Sequence, residues 1–540
     1  MAYHNAEEMK ELLELHPEFR EKLYCRGFLL TNDEGRFNID EYPFYSNWSV
    51  QKVSNCDINY YLYTHKDNTG YIFDDGDYIF FIFGHAYNPF SMKCDENEIL
   101  RDLSFAMKSG EESFWNEESN LTGVFCIGYI HKGNVVFSTD CAGMQLTYHG
   151  TDNGKLYVTS HSKLVADELG FKQDKYIKKL TESRFWHYWG TWLPGDRSPF
   201  PQLRRMQPNC AAYYSIKEGK IEVKRYYPLH KISETTTEEQ YQETIHELGR
   251  IMSNTMKCIA KKWPEKKVSI SVTGGRDSMS TLSCTNGIYD KFSYFSYISN
   301  YDESVDAEAA KKICDHLNIP HETYIIPEEW DGYKNIDVFK KVMECNAGCI
   351  GENNKNDLKK RMYFAENPPC DVEVKSWVNE IGRGWYYNKY NKKTFPKYPN
   401  ASYWRAMHKV YLSPWLIKNT DKVFADYLDR YYTKEIFDNL SWLELYFWEF
   451  AWSGGEGVFL TSEHRVSYEI TIPFNNRKYI EKMMTVPIEK RKVDSIPNDL
   501  ITYMEPRISE TGIVIKDVSH TDFRAFFIKI YLEIFSKIHF

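Results

Sequence analysis

Apolar and polar positions alternate in short runs through the first part of the chain. From about Ile72 to Tyr227, the stretches Tyr78–Phe83, Gly123–Ile130, Asn134–Ser138, Lys155–Thr159, Ala211–Ser215 and Ile221–Tyr226 carry the alternation and the β-branched and aromatic enrichment of strands. Gly133-Asn134 and Asp152-Asn153-Gly154 supply hairpin turns. An antiparallel β-sandwich is predicted. The period changes after Pro228, where Thr237 and Gln240 form a capping box and Tyr241, Ile245, Leu248, Met252, Met256 and Ile259 recur at helical spacing. Beyond that helix, strands over Lys267–Val272, Phe292–Ile298 and Glu322–Ile326 alternate with helices over Ser278–Cys284 and Val305–Leu317, which predicts βαβ units and a parallel sheet. After Trp330 the pattern is mainly helical. It ends in Phe523–Ile538, where Phe526, Phe527, Ile530, Tyr531 and Ile534 form a stripe expected to face the core.

Composition narrows the class. With 540 residues the chain is too long for one core, and 42% hydrophobic with 26% charged residues is ordinary for a soluble globular protein. The net charge of −9 argues against a nucleic-acid or anionic-membrane partner. The 12 cysteines include no CxxC pair, and Cys345 and Cys349 lack zinc-site spacing, so reduced thiols and a cytoplasmic location are expected. Met1–Leu15 is acidic and polar and has no secretory pattern. The 16% aromatic content is read as compositional bias, and the aromatics of Tyr386–Tyr390 and Trp404–Trp415 are expected in the core.

The chemistry concentrates in Val268-Ser269-Ile270-Ser271-Val272-Thr273-Gly274-Gly275-Arg276-Asp277-Ser278. A strand runs through a glycine pair into a helix, so loop amides and a helix N-terminus converge where an anion can sit without an obstructing Cβ. Thr273 and Ser278 add hydroxyl donors. Asp277 would repel a phosphate unless a cation lies between them, which implies Mg²⁺. The position is also where ligands bind in open α/β sheets, at the carboxyl ends of strands.

This loop resembles the SGGxDS loop of PP-loop ATP pyrophosphatases, with Thr273 for the first Ser, and it lacks the Walker A ending. Leu121-Thr122-Gly123-Val124-Phe125, Asp140-Cys141-Ala142-Gly143 with Leu146 and Tyr148, and Ser160-His161-Ser162-Lys163-Leu164 resemble the amidotransferase-type domain of asparagine synthetase-like enzymes. Glu469-Ile470-Thr471-Ile472-Pro473-Phe474 resembles their late Glu-x-Arg-x-Pro-Phe segment, with Thr471 for Arg. The resemblance covers about Phe80 to Met504. It implies an α+β and α/β chain: an amidotransferase-type antiparallel sandwich over residues 1–230, and a PP-loop ATP-binding synthetase domain with a helical extension over 231–540. ATP and Mg²⁺ would be bound through Thr273, Gly274, Gly275, Arg276, Asp277 and Ser278.

Departures from the family limit what it implies. Glutamine-using members carry a cysteine directly after the initiator Met, whereas here Ala2 stands there and the first cysteine is Cys25, so no glutamine hydrolysis is expected unless processing exposes Cys25. β-Lactam synthetases and lasso-peptide cyclases share that loss. The family's SGxGxDE segment aligns with Ser376-Trp377-Val378-Asn379-Glu380-Ile381-Gly382-Arg383, placing Asn379 and Glu380 with Asp277 at the metal and Arg383 near phosphate or a carboxylate. The family's C-terminal lysine has several candidates in Ile488-Glu489-Lys490-Arg491-Lys492-Val493-Asp494, and no spacing selects one. Arg276 is either a charge clamp or exposed. The expected reaction is adenylation of a small-molecule or peptide carboxylate and its transfer to ammonia or an amine, with Asp277, Glu380 and Arg383 as catalytic residues. A homodimer is an open expectation. The rivals are adenylation of a carbonyl or imidate oxygen, and a degenerate homologue acting as a binding or regulatory subunit.

Overall fold

The computed structural model describes residues 4–184, 186, 192–349, 355–390, 395–513 and 522–538. Two six-stranded antiparallel sheets are built from strands between Phe28 and Arg225. In spatial order the first holds Leu203–Arg205, Tyr148–Asp152, Lys155–Thr159, Phe28–Thr31, Ile58–His65 and Trp48–Asn55. The second holds Lys220–Arg225, Cys210–Ser215, Asn134–Thr139, Thr122–His131, Tyr78–Tyr87 and Gly70–Asp74.

Alternation decides what each face meets. Phe81, Phe83, Val124, Cys126 and Phe137 turn toward Phe28, Leu30, Tyr60 and Leu62 of the other sheet, and the Phe28 and Phe83 rings stack at 4.5 Å. Phe80, Ile82, Phe125 and Ile127 turn the other way and pack under the helices Glu96–Met107 and Glu111–Glu118. Both faces of Tyr78–Tyr87 are therefore covered, which is why its sequence is nearly all apolar. Helices Ala6–Leu15, Ser162–Leu169 and Ile336–Asn346 cover the outer face of the first sheet through Leu13, Leu164 and Phe339. The sandwich is thus a helix–sheet–sheet–helix stack. It also begins earlier than the predicted Ile72, with the buried Phe28–Thr31, and it includes the largely exposed edge strand Trp48–Asn55.

The other sheet is parallel, in the order Glu322–Ile325, Ser293–Ile298, Val268–Ser271, Val372–Val374 and Glu469–Thr471. Thr237 and Gln240 cap the helix Glu238–Lys262 reciprocally, as the sequence predicts. Helices Arg276–Ser283 and Tyr301–Leu317 follow their strands as crossovers.

The C-terminal helix, Asp522–Phe535, corrects one expectation. Phe526, Phe527, Ile530 and Ile534 are 61%, 45%, 40% and 52% exposed, while Ile528, Tyr531 and Leu532 are buried. Apolar residues occur all round this helix, so periodicity does not choose its docked face. Tyr531 does: its hydroxyl accepts from the Tyr411 N–H at 2.8 Å.

One segment, Glu469–Arg477, ties the parallel sheet to the sandwich. Thr471, which stands where the family pattern has Arg, shares a 2.7 Å hydrogen bond with the buried Tyr87 hydroxyl. Asn475 Nδ2 donates to Asp140 and to the Gly123 carbonyl, and Asn476 Nδ2 donates to Thr122 Oγ1 and the Asn120 carbonyl. Arg477 pairs with Glu118 at 2.6 Å, both side chains fully buried. Glu469 receives both Nε and Nη2 of Arg465, at 3.0 and 3.1 Å, with Arg26 of the sandwich 3.5 Å away. Burial alone would raise the Glu469 carboxyl, but Arg465 and then Arg26 outweigh it and hold the group at about 2.

A group depressed on folding stabilises the fold above its unfolded value and loses that contribution as pH falls through its folded value. Glu469→Gln is expected to cost about 3–5 kcal/mol at neutral pH, because it leaves buried arginines without a counter-charge. It should also flatten the acid limb of stability between its ordinary value of 4.5 and about 2. Urea unfolding followed by tryptophan fluorescence across that pH range checks both effects.

Candidate functional site

The glycine loop leaves the carboxyl end of Val268–Ser271 and enters the helix Arg276–Ser283, which has Gly275 as its N-cap and no side-chain cap. The loop braces itself. Thr273 N–H donates to Ser278 Oγ at 3.1 Å, Ser278 Oγ donates to the Thr273 carbonyl at 3.0 Å, and Gly275 N–H donates to Thr273 Oγ1 at 3.1 Å. The two hydroxyls, expected as anion donors, are engaged in holding the turn.

Asp277 occupies the first turn of that helix, and the segment after Val372–Val374 comes to meet it. Val378 adopts φ +80°, a left-handed conformation that is strained for a β-branched residue, and the short 3₁₀ turn Asn379–Arg383 follows. That bend carries Asn379 Nδ2 to 2.8 Å from Asp277 Oδ1 and Arg383 Nη1 to 2.6 Å from Asp277 Oδ2. Thr281 Oγ1 donates to Ser376 Oγ at 2.7 Å and fastens the segment to the helix. Arg383 Nε also binds Asp494 at 2.7 Å, so this guanidinium bridges two carboxylates.

Burial pushes the Asp277 carboxyl up, and Arg383 and Asn379 draw it part of the way back. Burial, then the neighbouring Asp277 charge, push Glu380 well above the usual carboxylate range. Glu380 Oε2 is buried without a hydrogen-bond partner. Thr273, Asp277, Ser278 and Glu380 line a cavity of about 220 Å³, to which Lys375 and Trp377 also contribute. The Lys375 ammonium lies 4.8 Å from the Trp377 ring centroid and 3.4 Å from Glu373.

The structure therefore gathers Thr273, Gly275, Asp277, Ser278, Asn379, Glu380 and Arg383, and it turns two expectations round. Arg276 points away from this cavity, with Nη1 3.0 Å from Asp494 and Nε 3.1 Å from Asn498, and with Gly274 it lines a separate hollow. Asn379 offers Asp277 an amide N–H, while its carbonyl oxygen receives the Tyr479 hydroxyl at 3.4 Å. It acts as a donor to the acid it was expected to join at a metal. The remaining carboxyls, Asp277 and Glu380, are oxygen donors of the kind a divalent cation takes, and bound phosphate would have to supply further ligands.

The basic run after Ile488 does not reach the loop. Lys490 pairs with Glu238, Arg491 with Glu444 and Lys492 with Glu489. The cation in the cavity wall is Lys375, which sequence reasoning missed because it lies on the strand side of the turn, away from any charge pattern. Asp494 lies inside a charged run and was missed as a partner of both arginines because each pairing joins segments far apart in the chain.

Cys25 is buried, its thiol pushed up by burial, with His65 and Asp67 close by. Among the described residues this is the one cluster of three metal-type donors. The geometry opposes a metal there: His65 Nδ1 accepts the Asp67 N–H at 3.2 Å, and Nε2 lies 3.2 Å from the Glu21 carbonyl. Ala2 lies outside the described residues.

No family model and no curated protein matches the chain. Among solved structures, the chain is similar to glutamine phosphoribosylpyrophosphate amidotransferase from B. subtilis complexed with ADP and GMP. The identity is 9% and the TM-score 0.22, over 60% of this chain and 64% of that one. It is also similar to a structure described as the allosteric regulatory enzyme of purine biosynthesis, at 10% identity and TM-score 0.23, over 59% and 63%. The chain spans just under two thirds of the length of these structures. No helix among the described residues is long and apolar enough to cross a membrane.

Glu380 supplies a test of the site's electrostatics. A carboxyl raised on folding costs stability increasingly as pH climbs above its unfolded value toward its folded one. Glu380→Gln is therefore expected to raise the thermal midpoint at neutral pH. The gain should vanish below about pH 4.5, the ordinary value for the side chain. Calorimetric melts across that range measure it.

Proposed function

We propose that the protein is an ATP-dependent ligase that adenylates a substrate carboxylate and passes the acyl group to ammonia or an amine. The observation that carries this reading is the convergence of the glycine loop, Asp277 and Glu380 with Lys375 on one cavity at the carboxyl ends of parallel strands. The uncapped start of the helix Arg276–Ser283 suits a departing pyrophosphate. Mg²⁺ bound with ATP would be held by Asp277 and Glu380, and it would neutralise phosphate charge. Arg383 would release Asp277 to that cation and keep Asp494 as its partner. Lys375, in the wall of the same cavity, would supply positive charge beside the α-phosphate.

In the first step a carboxylate oxygen attacks the α-phosphorus and the bond to the β-phosphate bridging oxygen breaks, releasing pyrophosphate. In the second, the nitrogen attacks the acyl carbon, the C–O bond to AMP breaks, and the nitrogen loses its extra proton. Positioning and charge stabilisation carry most of the catalysis. The net charge of −9 weighs against a nucleic-acid partner.

A second reading, a non-catalytic binding subunit, is favoured by the bond that already occupies Asp277, its short pairing with Arg383. ATP–pyrophosphate exchange over a panel of carboxylic acids tests the first reading. Exchange with at least one acid, lost by 100-fold or more in Asp277→Ala, is the expected result. Failure of every acid, with ATP yielding only ADP, would remove it. Mg·ATP binding in calorimetry that ignores Asp277→Ala would support the subunit instead.

A further inference from the structure

Beside the loop cavity lies a second one of about 340 Å³, and the two share Trp377 and Glu380 as a common wall. Its volume falls in the range of small-molecule sites. Much of its lining comes from Tyr446–Glu456, a rare stretch of π-helix whose wider turn sets Phe447, Ala451, Trp452 and Glu456 along one side. Across from it stand Trp385 and Tyr386. The rings form one continuous surface: Phe447 lies 6.0 Å from Trp452, 6.1 Å from Trp385 and 5.3 Å from Tyr386, and Trp452 lies 6.0 Å from Trp377.

Two carboxyl groups interrupt this aromatic wall. Glu380 Oε2 has no hydrogen-bond partner. Among the described residues no side chain hydrogen-bonds or ion-pairs with Glu456, although Lys375 is close enough to be felt. The cation in the wall, Lys389, lies 5.5 Å from the Tyr386 ring centroid. The indole Nε1 groups of Trp192 and Trp452 are buried without a partner, Trp452 being 5% exposed. A wall of π faces holding two carboxyl groups attracts an organic cation more than an anion, and spare indole donors suit an oxygen elsewhere on the same ligand.

We propose that this cavity binds an organic ammonium with an apolar flank, the amine that receives the acyl group, with Glu456 as its counter-charge. This rests on the reading of the neighbouring loop as the adenylating site. Glu456 lines this cavity and not the loop cavity, whereas Glu380 faces both, so the carboxylates divide between the ammonium and the phosphate-bound cation. Burial pushes the Glu456 carboxyl up to about 7, and Lys375 opposes that shift. A bound ammonium would hold it ionised.

The test uses the full chain and three probes that share a phenyl ring and differ in the head group: phenethylammonium, 2-phenylethanol and 3-phenylpropionate. Binding is followed by calorimetry and by tryptophan fluorescence. The expected order is the cation about tenfold or more tighter than the alcohol, with the carboxylate weakest, as cation–π attraction and an unpaired carboxylate require. Glu456→Gln should abolish the preference and leave the alcohol unchanged. Equal binding of cation and alcohol by the wild-type chain would overturn the proposal, as would a preference that survives Glu456→Gln. Mg·ATP binding to the wild-type chain is measured in parallel. If Mg·ATP binds and the cation preference is absent, the acceptor assignment alone fails. If the preference is present and Mg·ATP does not bind, the cavity is a cation site and the adenylating reading fails.

Discussion

The fold depends on the run of buried polar contacts along Glu469–Arg477. A charged group sealed from water is tolerated only when it is paired, and this run pairs residues that belong to different halves of the chain: Arg477 with Glu118, Glu469 with Arg26, and Asn475 with Asp140. Sliding the parallel sheet against the sandwich would expose each of these groups to an apolar neighbour. Arg225 and Glu449 add a second tie, with both guanidinium nitrogens 2.7 Å from the two carboxylate oxygens. Apolar packing supplies most of the burial, but these directional bonds select one docking of the two halves.

That docking builds the site. Glu469–Thr471 pairs with Val372–Val374, which pairs with Val268–Ser271, so the edge strand and the two strands that launch the functional segments share one register. From there the chain needs one strained residue, Val378, to bend Asn379–Arg383 onto Asp277. The outcome is a small region crowded with carboxyl groups: Asp277 and Asp494 bridged by Arg383, Glu380 beside them, and Glu456 across the shared wall. Such crowding is unfavourable for folding, and burial shifts the Glu380 and Glu456 carboxyls upward. Sites that bind cations are commonly arranged in this way, because the ligand relieves what the protein alone cannot.

The acidic net charge takes on local meaning here. An overall −9 would oppose a polyanionic ligand, yet Lys375 lines the loop cavity and Arg383 pairs with Asp277 in its wall. Arg276 does not join them. Its neighbour Asp494 offers a stronger partner than open solvent, and the helix turns that side chain to the far side of the loop.

Local sequence determined part of the strand set from Tyr78 onward, the capped helix after Thr237, and the loop from Thr273 to Ser278, because periodicity, capping and glycine placement act over a few residues. Asn379, Glu380 and Arg383 were marked only by the resemblance of one short segment to a family pattern. Tertiary structure decided the rest. It chose which face of the all-round apolar C-terminal helix is docked, gave Arg383 and Arg276 the same partner in Asp494, set Asn379 to donate to Asp277, and brought Glu456 beside Trp377 and Glu380. These pairings join residues far apart in the chain, and an ion pair or a cavity wall leaves no period in the sequence. Their geometry exists only once the two halves are locked together by buried charge.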